Sequence, residues 1–375
     1  LICCMSAGLR AESGTCGANL NWEYANGTLT ITGSGPMTNF NAAGSQPWAS
    51  VRGSIVQLVL PEELTVIGDY AFAYCSKLRM VTIPSQVTRI GRNAFSECPA
   101  LSRVTFAEGS KIQTIGLQAF FYCTALASIQ LPEGLVYIEA SAFRACSKLS
   151  AIDIPASVLS VGEYAFQECT DLSKVTLHDG TQTIGKDAFV TCGNLSSVTL
   201  PESLVSMGSQ AFIGCSSLTS VVIPKNIKTI EPGTFRSCSS LTNIVLPDSL
   251  VTIGESAFQG CGMSQIRIPD NVSVFGSYAF KQCKSLTSVA IPKSMASIAR
   301  GAFDECSNLT SVTIPEGVTT IGIEAFQSCN LLSLTLPQSL TTITDGAGSY
   351  GAFADNKNLS VVVIPDNVTT VGGEA

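Results

Sequence analysis

Cysteine and histidine are the side chains with the widest chemical repertoire, and this 375-residue sequence contains fifteen of the first and one of the second. Twelve cysteines recur in the phrase Phe-x-x-Cys: Cys75, Cys98, Cys123, Cys146, Cys169, Cys192, Cys215, Cys238, Cys261, Cys283, Cys306 and Cys329. Zinc sites are written as close pairs such as C-x-x-C with a second pair or histidines nearby. Here the sulfurs come singly, and no tetrahedral set is encoded. In a thirteenth unit, "AFADNKNLS", Asn356 stands where the cysteine belongs. Asparagine resembles cysteine in size and in being a donor, and it is a poor metal ligand and cannot be half of a disulfide. The swap favours a buried ladder of small side chains, with weak S–H donors meeting backbone carbonyls, over metal binding or systematic disulfides.

The remaining chemistry is sparse. Nucleophilic catalysis needs a nucleophile beside a base, and His178 in "VTLHDG" reads as a solvated turn residue. Glu133, Glu202 and Glu316 recur after a proline, but Lys225, Lys293 and Gln338 fill the same slot elsewhere. A solvated turn explains that mixture better than a pair of catalytic carboxylates. No phosphate-cradling glycine loop is present. The sequence therefore predicts no enzyme and no cofactor or metal. Net charge is −7 with 13% charged residues and no Lys/Arg cluster, which argues against nucleic acid as a partner. Despite 45% hydrophobic residues, no apolar run approaches the roughly 18 residues of a membrane span.

These residues are positioned by a repeat. Phe72, Phe95, Phe120, Phe143, Phe166, Phe189, Phe212, Phe235, Phe258, Phe280, Phe303, Phe326 and Phe353 are 23 residues apart in nine of twelve intervals. A period in the twenties points to leucine-rich repeats. Each unit begins with Leu-x-x-Val-x-Ile-Pro, as in "LTSVTIP" at 309–315, whose alternation predicts a short strand ended by proline. A second alternating run, "GVTTIG", predicts another strand closed by a glycine suited to positive φ. The Ala-Phe-x-x-Cys segment reads as a helical turn. Stacked units give an α/β, mostly β solenoid: a right-handed superhelix of about 13–14 rungs, with a parallel sheet on one face and short helical turns on the other. Since no single unit can bury its own apolar residues, the stack is the fold.

Three intervals depart from the period. The unit ending at Phe120 has two extra residues, with Ala107 in place of proline; that ending at Phe280 is one short; and "TDGAGSYG" at 344–351 lengthens the last. Ahead of the array, "LNWEYANGTLTIT" holds Asn26-Gly27 between alternating runs, a hairpin signal. Residues 15–53 are read as a β-hairpin N-terminal cap and 54–375 as the repeat array, cut at its C-terminal end. Residues 1–14, with Cys3 and Cys4, resemble the remnant of an export leader; Cys16 is the expected free thiol.

Outward positions of the first strand form two columns, nearly neutral and rich in hydroxyls. The candidate ligand-binding residues on this face are Arg103, Thr105, Gln130, Asp153, Lys174, Thr176, Ser197, Thr199, Asn243, Arg267 and Thr313. Hydroxyls also fill exposed strand positions for structural reasons.

The unit "LTSVTIPEGVTTIGIEAFQSCN" at 309–330 resembles the BspA-type leucine-rich repeats of bacterial surface proteins, and the resemblance extends over residues 54–375. The segment "GTCGANLNWEYANGTLTITGSGPM", followed by "PW", is similar to what often precedes such repeats. The resemblance implies an extracellular or cell-surface protein, acting as a monomer in adhesion to a protein or glycan surface ligand. No family motif transfers a binding residue. A carbohydrate-binding or substrate-presenting module of a larger secreted enzyme, and a structural spacer, remain as alternatives.

Overall fold

The computed structural model describes residues 12–344 and 350–372. Cys3 and Cys4, with most of the segment expected to be a leader remnant, and the centre of the 344–351 insertion lie outside the described residues. The repeats coil into a mostly-β parallel solenoid of about 12 turns with almost no helix. All turns but the one at 261–276 carry two short strands among the described residues, because the alternating runs bury every second residue. Ile152, Val175 and Val198 are buried on consecutive rungs, while between them Asp153 aligns with Thr176 and Thr176 with Thr199.

The second strand column is continuous over eight strands, from Gly35–Pro36 to Ser206–Met207. The first column is broken. Met80–Ile83, Arg103–Phe106 and Ser128–Ile129 make one sheet, and Ala151–Ile154 to Asn243–Val245 make the next. It is interrupted at four places among the described residues, one of them the short unit, where Gln265–Arg267 forms no strand, whereas the long unit's Arg103–Phe106 stays paired on both sides.

An antiparallel unit precedes the first rung. Glu12–Gly17, Leu20–Ala25 and Thr28–Gly33 pair in sequence, Asn26 and Gly27 take φ of 50° and 82° between the last two, and Thr28–Gly33 lies parallel to Gln57–Val59. The first strand starts at Glu12, so residues 12–14 pair within this unit. Trp48 stacks on Phe72 at 5.7 Å. Behind it the repeat phenylalanines continue one near-parallel column, with ring centroids 5.2–5.7 Å apart. This is the offset stack that the ring quadrupole favours.

The Ala-Phe-x-x-Cys segment is not a helical turn. The residues two before and two after each phenylalanine are left-handed: Tyr164 and Glu168 have φ of 57° and 62°, and Asp187 and Thr191 follow at 56° and 58°. Within this stretch alternate N–H groups do different work. Ala165, Gln167 and Cys169 donate three residues back, whereas Tyr164, Phe166 and Glu168 donate to Lys186, Ala188 and Val190 of the next rung. A helix would demand every N–H for itself, and the stacking of rungs takes half of them. The glycine after the second strand also serves differently than expected. Gly208 keeps an ordinary φ, but a Cβ there would sit 2.4 Å from the Lys186 nitrogen, so the requirement is close approach of rungs.

Left-handed backbone costs an ordinary residue roughly 1–2 kcal/mol. Gly214 and Gly260 already occupy the equivalent position, two after phenylalanine, on either side of exposed Ser237 at φ 62°. Ser237→Gly is therefore expected to leave stability unchanged or raise it by up to about 1 kcal/mol in urea unfolding. A loss of about 1 kcal/mol, as in a helix interior, would contradict the left-handed turn. Phe189→Ala, at the middle of the ring column, is expected to cost about 3–5 kcal/mol in the same measurement.

Candidate ligand-binding face

Short strands held from both sides set the outward side chains of the first column at fixed spacing. Arg103, Thr105, Gln130, Asp153, Lys174, Ser197, Thr199, Asn243, Arg267 and Thr313 are exposed, and Thr176 is half-buried. They are not one site. Asp153, Thr176 and Thr199 are neighbours across adjacent strands, as are Lys174 and Ser197. Arg103 and Arg267 are seven rungs apart, roughly 34 Å at the usual 4.8 Å between strands.

Partners differ along the face. Thr105 Oγ1 lies 3.0 Å from Thr82 Oγ1, and Arg267 Nη1 donates to Asp248 Oδ1 at 3.0 Å. His178 is exposed, as expected for a turn, but it is also paired: Nε2 lies 2.7 Å from Asp153 Oδ1. Among the described residues no hydroxyl or thiol shares a side-chain hydrogen bond with His178. Glu316 accepts from the backbone N–H groups of Gln338 and Ser339, bonds that hold its carboxyl below the usual range. That carboxylate steadies the next rung's turn.

Just outside the face many hydroxyls are committed to the backbone. Ser150, Ser173, Ser196 and Thr219 each donate to the carbonyl at the same position of the preceding rung. The hydroxyl-rich composition is thus partly a structural ladder.

Two depressions interrupt the strand face. One, of about 870 Å³, is bordered by Arg103, Thr105, Phe106, Gln130 and Glu133. The other, of about 480 Å³, is bordered by Asn243, Gln265, Arg267 and Ser288. Phe106, Glu133 and Gln265 were not singled out from sequence as ligand contacts, although the irregular spacing of the units that hold Phe106 and Gln265 was an available signal. Charged groups cluster more tightly on the turn side. There Lys281 Nζ lies 2.7 Å from Asp304 Oδ2 and 3.3 Å from Glu305, and Arg300 pairs with Glu324 at 3.2 Å through two nitrogens. Burial raises the Asp304 carboxyl above its ordinary range, against the opposing pull of the Lys281 bond. These pairs join consecutive rungs and leave little free charge.

The cysteine ladder is closed to ligands. The thiols of Cys98, Cys123, Cys146, Cys169, Cys192, Cys215, Cys238, Cys261, Cys283, Cys306 and Cys329 donate to the carbonyl of the preceding rung's phenylalanine at 3.1–3.3 Å. Asn356 Nδ2 makes the same bond to Phe326 at 2.8 Å. Cys75, with no repeat phenylalanine before it, meets the Cys98 thiol instead, and that contact with burial pushes its own thiol up. All thirteen described cysteines, Cys16 included, are free and buried. Burial pushes Cys16 up to about 11 and Cys146, Cys192, Cys238, Cys283 and Cys329 up to about 12.

A thiol whose pKa is raised by folding holds its proton more tightly in the folded chain. Its stabilising contribution is complete below the unfolded value of 9.0 and is lost as pH climbs toward 12. The unfolding free energy measured in urea is expected to fall steeply above about pH 9, by on the order of 1.4 kcal/mol per titrating thiol per pH unit. Thiol reagents at about pH 8 should leave the ladder unmodified until the chain unfolds. Rapid labelling of ladder thiols in the folded protein would contradict this arrangement.

A model of the BspA-type leucine-rich repeat region matches residues 50–173, 160–287 and 275–375. Among solved structures, a leucine-rich repeat protein from Bacteroides ovatus is 25% identical over 94% of this chain and 89% of its own, with a TM-score of 0.66. A leucine-rich cell surface protein from Faecalibacterium prausnitzii is 26% identical over 93% of each chain, with a TM-score of 0.51. A leucine-rich repeat protein from Eubacterium ventriosum shares the fold at 21% identity over 96% of this chain and 93% of its own, with a TM-score of 0.50. No curated protein matches the sequence. Among the described residues no helix is long and apolar enough to cross a membrane. With its period, its ring column and its cysteine ladder, the chain belongs to the BspA-type leucine-rich repeat family.

Proposed function

We propose that this protein is a non-enzymatic, cell-surface binding scaffold that holds a macromolecular partner, on a host or microbial surface, against its first strand column. The observation that carries the reading is the strand face itself. It is a rigid array of exposed polar side chains, fixed by ladder bonds on either side, with its most reactive groups sealed in the core. Binding there needs little ordering of the scaffold, which keeps the entropic cost of association low. Surface display is supported by the description of the Faecalibacterium prausnitzii neighbour as a cell surface protein. The antiparallel strands at the start, with Trp48 closing the ring column, act in this reading as the cap that a solenoid end requires, and the protein works as a monomer.

The test is a binding screen of the chain against immobilised matrix glycoproteins, beside the variant Asp153→Lys, Ser197→Glu, Thr199→Arg. All three positions are exposed, so the variant should fold and melt as the parent does. A loss of at least tenfold in affinity, about 1.4 kcal/mol, is expected. Saturable binding that survives intact in the variant would move the site to the turns or the antiparallel unit.

A further inference from the structure

We infer that the two depressions of the strand face form one bipartite site for a linear acidic polysaccharide. The inference rests on the reading of this face as the binding face and specifies the chemistry it recognises. The first depression lies beside the long unit, where Arg103–Phe106 outruns its two-residue neighbour Ser128–Ile129, and the second lies at the short unit, where Gln265–Arg267 forms no strand. Though far apart in sequence, they present the same groups: a guanidinium from Arg103 or Arg267, a primary amide from Gln130 or Gln265, and hydroxyls from Thr105 or Ser288. A guanidinium fork matches a carboxylate or sulfate. An amide that both donates and accepts matches the hydroxyls of a sugar.

Charge points the same way. In the two outward columns, from Gln57 to Val363, the charged side chains are Arg103, Lys174 and Arg267 against Asp153, a balance of +2 (3 − 1) on a chain of −7. Asp153 already faces His178 at 2.7 Å. The Arg267–Asp248 pair is exposed on both sides, so it contributes little and yields to a ligand anion. Lys174 stands between the depressions. Glu133, exposed beside the first, is the one opposing carboxylate among the residues bordering either depression. Two like sites roughly 34 Å apart on a straight stack suit a polymer that repeats its own acidic group. Nucleic acid is also linear and anionic, but it calls for aromatic platforms on which bases stack, and neither column contains an aromatic residue.

Calorimetry on the chain at low salt would compare an oligogalacturonide trimer, which reaches one depression, with a dodecamer, which reaches both. A sulfated dodecasaccharide, a neutral one and a single-stranded oligonucleotide serve as further arms. The dodecamer is expected to bind about 100-fold more tightly than the trimer. Arg103→Ala and Arg267→Ala should each reduce it to trimer strength, Arg103→Lys should recover part of the loss, and Glu133→Gln should tighten binding. The sulfated arm decides which acid group is preferred. Equal affinity for trimer and dodecamer, equal affinity for the neutral chain, tighter binding of the oligonucleotide, or no binding to any acidic glycan would each overturn the inference. If a protein ligand from the screen still loses affinity in the strand-face variant while the acidic oligomers do not bind, the binding face stands and only its glycan chemistry falls.

Discussion

The carbonyl of each repeat phenylalanine emerges from a tight turn into the core, where no water can reach it. A buried carbonyl left unpaired costs as much as a hydrogen bond lost, so something on the next rung has to meet it. The thiol three residues beyond the next phenylalanine does so at 3.1–3.3 Å on rung after rung. This requirement fixes much else. The donor must be small enough to fit beside the ring column, which admits cysteine and, at Asn356, asparagine. It must remain protonated, which burial secures by pushing the thiols far above their ordinary range. The turn must also be narrow enough to present the carbonyl, which forces left-handed φ on residues as unsuited to it as Tyr164 and Thr191. The strain of those turns is tolerated because at every second position the next rung accepts and the preceding rung donates.

Much of this was legible because a repeat displays the same decision many times. The strands, the burial of every second residue and a packing role for cysteine follow from period and alternation, and the replacement at Asn356 separates packing from metal chemistry without structural help. The turns were not legible. Ala-Phe-x-x-Cys has helical spacing, and nothing in Tyr, Glu or Gln announces a left-handed backbone; only the competition of the neighbouring rung for alternate N–H groups reveals it. The glycine before most turns misleads in a related way. At Gly208 a Cβ would meet the backbone of another rung, a contact 22 residues away that local rules for positive φ do not address, while Glu139, Glu231 and Ala299 occupy the same position elsewhere. The Asp153–His178 pair was hidden for the same reason, since its partners are 25 residues apart and meet only through strand register.

The strand face was legible as a list of residues and not as a site. Its columns run the length of the array, and alternation alone treats every rung as equal. The hydroxyls beside them illustrate why composition misleads: Ser173 and Ser196 are donors to the backbone before they are available to anything else. What distinguishes one stretch of the face from another is how a unit of altered length is accommodated, by a lengthened turn after Arg103–Phe106 or by loss of the strand at Gln265–Arg267.

A solenoid built from identical rungs would present a ligand with the same surface everywhere and bind it in every register. Specific position requires that the translation symmetry be broken, and the least costly place to break it is a unit whose core side chains remain in place while its strand is lost or displaced. The long unit does this by keeping Phe95, Phe120 and their cysteines in the stack while Ala107 replaces the proline and the turn after Arg103–Phe106 lengthens by two residues. The short unit keeps Phe258 stacked on Phe280 and forgoes the strand at Gln265–Arg267. In both, the interactions that hold the fold and the residues that vary the surface occupy different sides of the same turn. Length changes can therefore alter the face without disturbing the core that supports it.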